Sequence, residues 1–286
     1  MPVTRTIPAG EYELCVTVHT PPEAVDRHVA VLYLHGGGLL YGERDDLPAL
    51  YLRAFLNKGY TLYCMDYPLA PEVSLSGIHD AILAGWSYLM REDLPKRGIG
   101  RYFLFGRSAG AYLALLLAKH LRTGTQLPAP VGILDFYGYY DMREAAFSAP
   151  ASYYTALPAV PEQVAKNIIG KEPITTGPKA QRFSLYVYAR QQGLWTALLG
   201  AQDAASSEAS LSGEDIAQLP PLFITASSAD QDVPFRISKT LSRQAPNAVM
   251  KPVYYLEHDF DRDTANPAGM QIYTACLNWM EGLLQG

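Results

Sequence analysis

The sequence is poor in cysteine. Its 286 residues include three cysteines, Cys15, Cys64 and Cys276, which are far apart and odd in number. This spacing argues against a disulfide framework and against a zinc site built from CxxC pairs. We therefore expect thiols buried in a reducing compartment, and a functional site that needs no metal.

Runs of positive charge and long apolar runs are also missing. The formal net charge is −5, and the chain has no run of five or more basic residues, so nucleic acid is not an expected partner. No stretch approaches the roughly 18 uninterrupted apolar residues of a membrane span. The N-terminus lacks the apolar segment of a secretion signal. We expect a cytoplasmic protein with a small-molecule substrate and no membrane partner, and leave open whether it forms a homodimer.

What the chain does contain is regular apolar patterning. Apolar residues make up 49% of it, which is enough for one large α/β domain or two small ones. Strands are predicted at 11–18, as an edge strand, and at 29–34, 60–66, 102–105, 131–137, 221–226 and 249–256. Helical patterns between them predict an α/β fold, with a mostly parallel sheet, helices on both faces and ligands at the strands' carboxyl ends.

Residues 139–215 break this alternation, with many tyrosines and several prolines. A structureless loop of that length is implausible in a compact domain. We therefore predict a small cap, inserted after the strand at 131–137 and ending in a polar stretch at 204–215. Residues 1–138 and 216–286 would form the catalytic core.

The central motif of the sequence lies in residues 100–124. A short apolar strand runs into Gly106-Arg107-Ser108-Ala109-Gly110 and then directly into an apolar helix. This pattern is typical of a nucleophile elbow, in which a sharp turn exposes the serine hydroxyl to a base and to substrate. The alternative is an ordinary serine at a helix N-terminus, but the strand-turn-helix context favours the elbow.

A second glycine run, His35-Gly36-Gly37-Gly38, follows the strand at 29–34. Consecutive glycines expose backbone N–H groups and allow close approach of the backbone to a ligand. Directly after a strand, they are typical of the motif that supplies an oxyanion hole. A flexible glycine turn is the alternative.

A serine nucleophile requires a base and an orienting carboxylate, in the chain order Ser, Asp or Glu, His. Of the six histidines, only His258 lies after the elbow in a loop that follows a strand. Two aspartates of the loop at 227–234 compete as the acid. Asp230 is favoured because it directly follows the strand end, and Asp232 would then cap the next helix. The acidic residues that flank the histidine are expected to be solvated: Glu257, Asp259, Asp261 and Asp263.

Together these motifs resemble the hormone-sensitive-lipase-like carboxylesterases of the α/β-hydrolase superfamily. The resemblance is carried by residues 35–38, 66–72 (DYPLAPE), 106–110, 227–234 and 258–260. It implies a triad of Ser108, Asp230 and His258, an oxyanion hole formed by the N–H groups of Gly36, Gly37 and Ala109, and no cofactor.

The sequence departs from this family in three places. Arg107 stands where the family usually has an acidic residue, Pro68 replaces an arginine, and the usual helical N-terminal cap is missing. None of these departures removes a catalytic group, but together they leave the substrate preference open.

The predicted function is hydrolysis of small, short-acyl carboxylic esters through an acyl-enzyme intermediate. Amide or peptide hydrolysis by the same triad is an alternative. A non-catalytic ligand-binding relative is another, disfavoured because His258 is present. A neutral imidazole base predicts activity that rises through about pH 6 to 7.

The short-acyl prediction comes from the aromatic residues of the predicted cap. Amphipathic aromatics suit a compact, partly wet pocket that accepts acyl chains of about two to six carbons. They could equally fill the core of the cap. The residues concerned are Tyr139, Tyr140, Tyr153, Tyr154, Tyr186, Tyr188 and Trp195.

Overall fold

The computed structural model describes residues 2–124, 126–201 and 209–285; positions 204–208 of the predicted polar stretch lie outside them. Within these residues eight strands form one sheet, in the order β1-β2-β4-β3-β5-β6-β7-β8. The strands are β1 (Val3–Ala9), β2 (Tyr12–His19), β3 (Val29–Leu34), β4 (Tyr60–Met65), β5 (Arg101–Arg107), β6 (Gly132–Phe136), β7 (Leu222–Thr225) and β8 (Ala248–Met250). In this spatial order every neighbouring pair from β4 through β3 to β8 is parallel, whereas the β1–β2 and β2–β4 pairs are antiparallel.

Helices cover both faces of the sheet. The described helices are α1 (Ala49–Asn57), α2 (Leu75–Glu92), α3 (Ala109–Gly124), α4 (Ala145–Ser148), α5 (Ser152–Thr155), α6 (Glu162–Ile168), α7 (Lys179–Gln192), α8 (Trp195–Leu198), α9 (Gly213–Ala217), α10 (Phe235–Gln244) and α11 (Pro267–Gln285). The apolar sides of α2 and α3 belong to one core, and those of α1 and α11 to a second core. The predicted α/β fold is therefore confirmed.

The central strands read as continuous apolar runs because both of their faces are covered. Every residue of β3 (VAVLYL) and β4 (YTLYCM) is buried. Their carboxyl ends lead into the glycine run and the DYPLAPE segment, and β5 leads into Ser108. The parallel arrangement therefore brings all three motifs to one edge of the sheet.

Two strand predictions were wrong. β2 is not an edge strand, because β1 pairs with the side that β4 leaves open. The sequence did not predict β1, which has no strong apolar alternation and contains Pro8. The last strand was predicted at 249–256, but β8 ends at Met250. Pro252 follows two residues later and has no N–H to donate, so pairing continues only as an isolated bridge between Ser227 and Val253.

Where the structure describes the chain between β6 and β7, its regular elements are helices. Within the described residues this segment forms α4 to α9. Its longest helix, α7, contacts the glycine-run loop through Arg182, whose Nε donates to the carbonyl oxygen of Leu40 at 2.7 Å. The division into a core and a cap at 139–215 stays a prediction. No helix in the described ranges is sufficiently long and apolar to span a membrane.

Candidate active site

Ser108 sits in a tight turn between β5 and α3. Its φ is 53°, a left-handed conformation that residues other than glycine rarely adopt. A Cβ on Gly106 would lie 2.1 Å from the Gly110 carbonyl, and one on Gly110 would lie 2.0 Å from the Leu34 oxygen. Glycine is therefore required two residues before and two residues after the serine.

The structure brings Ser108, His258 and Asp230 together. The His258 Nε2 is 2.8 Å from the Ser108 Oγ, and its Nδ1 is 2.6 Å from the Asp230 Oδ2. The other oxygen of Asp230 accepts the N–H groups of Asp232 and Val233, each at 2.9 Å. These two backbone bonds fix the carboxylate behind the ring. The result is a continuous hydrogen-bonded chain from carboxylate to serine hydroxyl.

The charge state of His258 is set by its carboxylate neighbours. Burial acts to lower the pKa of its imidazole, but the charge of Asp230 and the hydrogen bond to it, together with Asp232 and Asp259, raise that pKa to about 9. A carboxylate close to an imidazole favours its protonated form. The neutral ring is therefore a stronger base than a free imidazole, and it predominates only when the pH approaches this raised pKa.

The glycine run lies directly beside the serine. A Cβ on Gly36 would lie 3.4 Å from the Ser108 Cβ. Among the described residues, the backbone N–H groups of Gly36, Gly37 and Ala109 donate no hydrogen bond. Ala109 is also the first residue of α3, where helix geometry leaves N–H groups unpaired. In the described residues these N–H groups therefore have no acceptor, as the predicted oxyanion hole would require.

The carbonyl groups of the same loop, in contrast, are held by neighbouring side chains. The Tyr67 hydroxyl donates to the carbonyl oxygen of His35 at 2.8 Å, and the two rings stack with centroids 4.1 Å apart. The Trp195 Nε1 donates to the carbonyl oxygen of Gly38 at 2.8 Å. Sequence reasoning did not assign these supporting roles, although Tyr67 belongs to the DYPLAPE motif and Trp195 to the predicted cap.

Asp232 does not cap a helix, so that prediction was wrong. The residue at the N-cap of α10 is Pro234, without a side-chain capping bond. The hydroxyl of Tyr186 donates to the two Asp232 carboxylate oxygens at 2.9 and 3.0 Å, and the Arg190 Nη2 lies 3.6 Å from the carboxylate. Buried donors on α7 thus engage this carboxylate. The Asp232 carboxylate thus links α7 to the loop that carries Asp230.

The acidic residues around His258 differ in exposure. Glu257 and Asp263 are exposed, as expected. Asp261 is completely buried, however, so the prediction that it is solvated was wrong. It accepts a hydrogen bond from the Arg107 Nη2 at 2.8 Å, and such a charge-assisted bond offsets the cost of burying a carboxylate. An available signal was the arginine before the serine, since a buried cation needs an anionic partner.

Ser108 opens into a cleft of about 180 Å³. A second cavity of about 150 Å³ shares part of its wall, including Tyr41, Lys179 and His258. Tyr186 lines the first, and Tyr153 and Tyr154 line the second. The described residues contain no cluster of three or more His, Cys, Asp or Glu side chains that could hold a metal. A serine hydroxyl, an imidazole and the glycine run therefore border one small cleft.

Similarity to known proteins agrees with this architecture. A family model described as the α/β hydrolase fold matches residues 31–236. An α/β-hydrolase superfamily protein from Enterococcus faecalis is 33% identical, with a TM-score of 0.85 over 98% of this chain and 99% of that one. A Staphylococcus aureus protein of unknown function is 29% identical, with a TM-score of 0.86 and the same coverage. A hyperthermophilic esterase from Pyrobaculum calidifontis, 19% identical with a TM-score of 0.73 over 99% of this chain and 86% of that one, shares the fold.

Curated relatives match over parts of their length. A non-reducing polyketide synthase of Penicillium rubens is 33% identical over 55% of this chain, which spans 7% of the synthase. An ethyl acetate hydrolase of Pseudomonas putida is 32% identical over 42% of this chain and 38% of the hydrolase. The chain therefore covers well under two thirds of either relative.

Proposed function

The chain belongs to the α/β-hydrolase fold family, and from this premise we propose that it is a serine carboxylesterase that cleaves small, short-acyl esters. The observation that carries the proposal is the hydrogen-bonded chain through His258, with 2.8 Å to the Ser108 Oγ and 2.6 Å to the Asp230 Oδ2. A serine hydroxyl is a weak nucleophile until such a base removes its proton.

In the first half of the proposed reaction, the Ser108 Oγ attacks the ester carbonyl carbon while the His258 Nε2 accepts the hydroxyl proton. The carbonyl oxygen becomes an oxyanion and is stabilised by the N–H groups of Gly36, Gly37 and Ala109. Asp230 stabilises the resulting imidazolium and keeps Nδ1 protonated. When the tetrahedral intermediate collapses, the imidazolium donates its proton to the departing alcohol, and the acyl group remains on the serine.

In the second half, a water molecule takes the place of the alcohol. His258 removes one proton from the water, whose oxygen attacks the acyl carbon, and the same N–H groups hold the second oxyanion. Collapse of this intermediate releases the carboxylic acid and returns the proton to the Ser108 Oγ. The cycle consumes one water and leaves every protein group in its starting protonation state.

Two observations support a small substrate. The cleft at Ser108 has a volume of about 180 Å³, so a bound acyl chain gains about 0.8 kcal/mol per buried methylene only until it meets the wall. The second is the partial similarity, over 42% of this chain, to an ethyl acetate hydrolase. Both favour acyl chains of about two to six carbons.

The test combines active-site labelling with turnover. We expect wild-type protein to react with a fluorophosphonate probe and to hydrolyse p-nitrophenyl acetate, and Ser108→Ala to lose both by several orders of magnitude. Ser242→Ala on α10 is a matched control, because the Ser242 hydroxyl donates within its own helix, to the Lys239 carbonyl oxygen. Faster cleavage of a p-nitroanilide than of the matching ester would favour an amidase. Wild-type protein that binds esters without turnover would indicate a binding protein.

A further inference from the structure

Arg107, the residue before the serine, is a buried cation that contacts three other loops of the site. Its side chain is 3% exposed. Its Nη2 lies 2.8 Å from the Asp261 Oδ1, its Nε donates to the Tyr137 hydroxyl at 2.7 Å, and its Nη1 lies 3.3 Å from the Asp46 Oδ2. Asp46 follows the glycine run, Tyr137 follows β6, and Asp261 follows His258. A single guanidinium thus connects the nucleophile turn to the loops that surround it.

Asp261 completes this network on the histidine side. It lies three residues after His258. Its Oδ1 also accepts from the Tyr137 hydroxyl at 2.7 Å, and its Oδ2 accepts from the Tyr273 hydroxyl of α11 at 2.8 Å. Both carboxylate oxygens are therefore occupied by buried donors. The backbone of the histidine loop is fixed to the sheet and to α11 at this point.

Tyr137 links the same network to the imidazole itself. Its ring packs edge to face against the His258 ring, with centroids 4.8 Å apart. Its hydroxyl accepts from Arg107 and donates to Asp261. Tyr137 therefore contacts both the ion pair, through its hydroxyl, and the imidazole, through its ring.

We propose that the buried Arg107–Asp261 ion pair is a positioning device that holds the His258 loop in register with the Ser108 turn through Tyr137. The inference rests on the proposed function and extends it to two residues that do not touch the reacting atoms. Asp230 orients the imidazole from one side, and the ion pair sets the position of its loop from the other.

The physical case depends on what buried ion pairs do well. Desolvation of two charges offsets much of their attraction, so such a pair is weak evidence of stability alone. Its hydrogen bonds, however, fix geometry, and misplacement of a catalytic group by about 1 Å can cost about 100-fold in rate. Here Arg107 directly precedes the nucleophile Ser108, and Asp261 lies three residues after the base His258. The contribution should therefore appear in kcat rather than in substrate binding.

The decisive variant is Asp261→Asn, because Asp261 does not line the cleft. We expect kcat per titrated active site and the rate of fluorophosphonate labelling to fall together by about 10- to 100-fold, with KM within about twofold of wild type. At position 107, Arg107→Lys should retain more activity than Arg107→Met, because lysine keeps the charge. Tyr137→Phe, which keeps the ring and loses the hydroxyl, is the second test should Asp261→Asn fail to fold.

Asp93→Asn is the matched control. Asp93 is also nearly buried. It accepts from Tyr63 at 2.6 Å and Arg97 at 3.0 Å and pairs with Arg5 at 2.7 Å, but it lies at the end of α2, and none of these described partners lines the cleft. It should lower the melting temperature and leave kcat per active site unchanged. An equal kcat loss in Asp93→Asn, or wild-type kcat per site in the folded Asp261→Asn or Tyr137→Phe variant, would overturn the positioning role alone. Wild-type protein that neither labels nor turns over ester would overturn both proposals.

Discussion

The carboxylate of Asp230 holds His258 with one oxygen and the backbone of its own loop with the other. The Oδ2 lies 2.6 Å from the His258 Nδ1, and the Oδ1 accepts two N–H groups at 2.9 Å. The carboxylate cannot rotate away from the ring without losing these bonds. The neighbouring Asp232 carboxylate faces Tyr186 and Arg190 instead, so the two aspartates have separable roles.

The first prediction follows from this separation. Asp230→Asn should lower kcat by about 10⁴-fold, as in other triads, because the amide stabilises the wrong imidazole tautomer. Asp232→Asn should change kcat by less than about tenfold and lower the melting temperature, because it leaves the buried Arg190 without its anionic partner. Steady-state kinetics with p-nitrophenyl acetate and thermal unfolding measure both. The reverse ranking of kcat would assign the acid to Asp232.

The second prediction concerns pH, and here the structure changes the expectation from sequence. A base must be deprotonated to act, and the pKa of His258 is raised to about 9. The kcat/KM should therefore climb about tenfold per pH unit between pH 6 and 8 and level off only near pH 9, rather than level off near pH 7. Removal of the Asp230 charge lowers this pKa. Asp230→Asn should therefore move the rise in kcat/KM to lower pH and reduce the maximum value of kcat/KM.

The control for the pH experiment is Asp263→Asn, an exposed carboxylate in the same loop. Solvent screens its charge, so the rise should stay where it is in wild type. A wild-type profile that is flat between pH 6 and 8 would contradict the role of His258 as the base.

The sequence was sufficient for the fold and for the candidate triad because the signals are local. Ser108, Asp230 and His258 each follow a strand whose apolar pattern is readable, and parallel strands place their carboxyl ends at one edge. The catalytic roles stay predictions, but the proximity of the three side chains follows from this topology.

The supporting network was not predicted, because Arg107 signals that an anionic partner is needed but the sequence does not say which distant carboxylate supplies it. Asp261 was assigned to solvent from its polar surroundings, yet it is buried against Arg107, which lies 154 residues away. The sequence position of Asp232 is typical of a helix cap, but in the structure its carboxylate accepts a hydrogen bond from Tyr186 of α7. Polar residues near a functional site are thus the ones for which local sequence pattern is the poorest guide.

The third prediction tests the glycine run. Gly37 has a φ of 109°, and a Cβ there would lie 1.9 Å from the Tyr41 carbonyl oxygen. Gly37→Ala should therefore displace the loop, destabilise the fold by about 1–3 kcal/mol and lower kcat by about 100-fold through loss of an oxyanion donor. The matched control is Gly213→Ala at the start of α9, where a Cβ meets nothing within 4 Å. It should be neutral or stabilise by up to about 1 kcal/mol, and equal effects of the two variants on kcat would contradict the role of the loop.

The fourth prediction concerns the walls of the two cavities, which are about 180 and 150 Å³ in volume. In wild type, kcat/KM should peak between p-nitrophenyl acetate and hexanoate. Tyr154 and Phe183 line only the second cavity, so removal of either ring enlarges that space without touching the Ser108 turn. Phe183→Ala should then move the peak toward octanoate, because each additional buried methylene is worth about 0.8 kcal/mol, or about fourfold in kcat/KM.

Tyr255→Ala serves as the matched control for this series, because Tyr255 is 88% exposed and lines neither cavity. It removes a ring of comparable size from the surface and should leave the chain-length profile unchanged. The comparison separates a pocket wall from a general effect of losing an aromatic side chain. A wild-type maximum at octanoate or beyond, or activation by a lipid interface, would contradict a closed short-acyl pocket. A Phe183→Ala profile identical to that of wild type would place the acyl chain in the cavity at Ser108 alone, with the alcohol or solvent occupying the second.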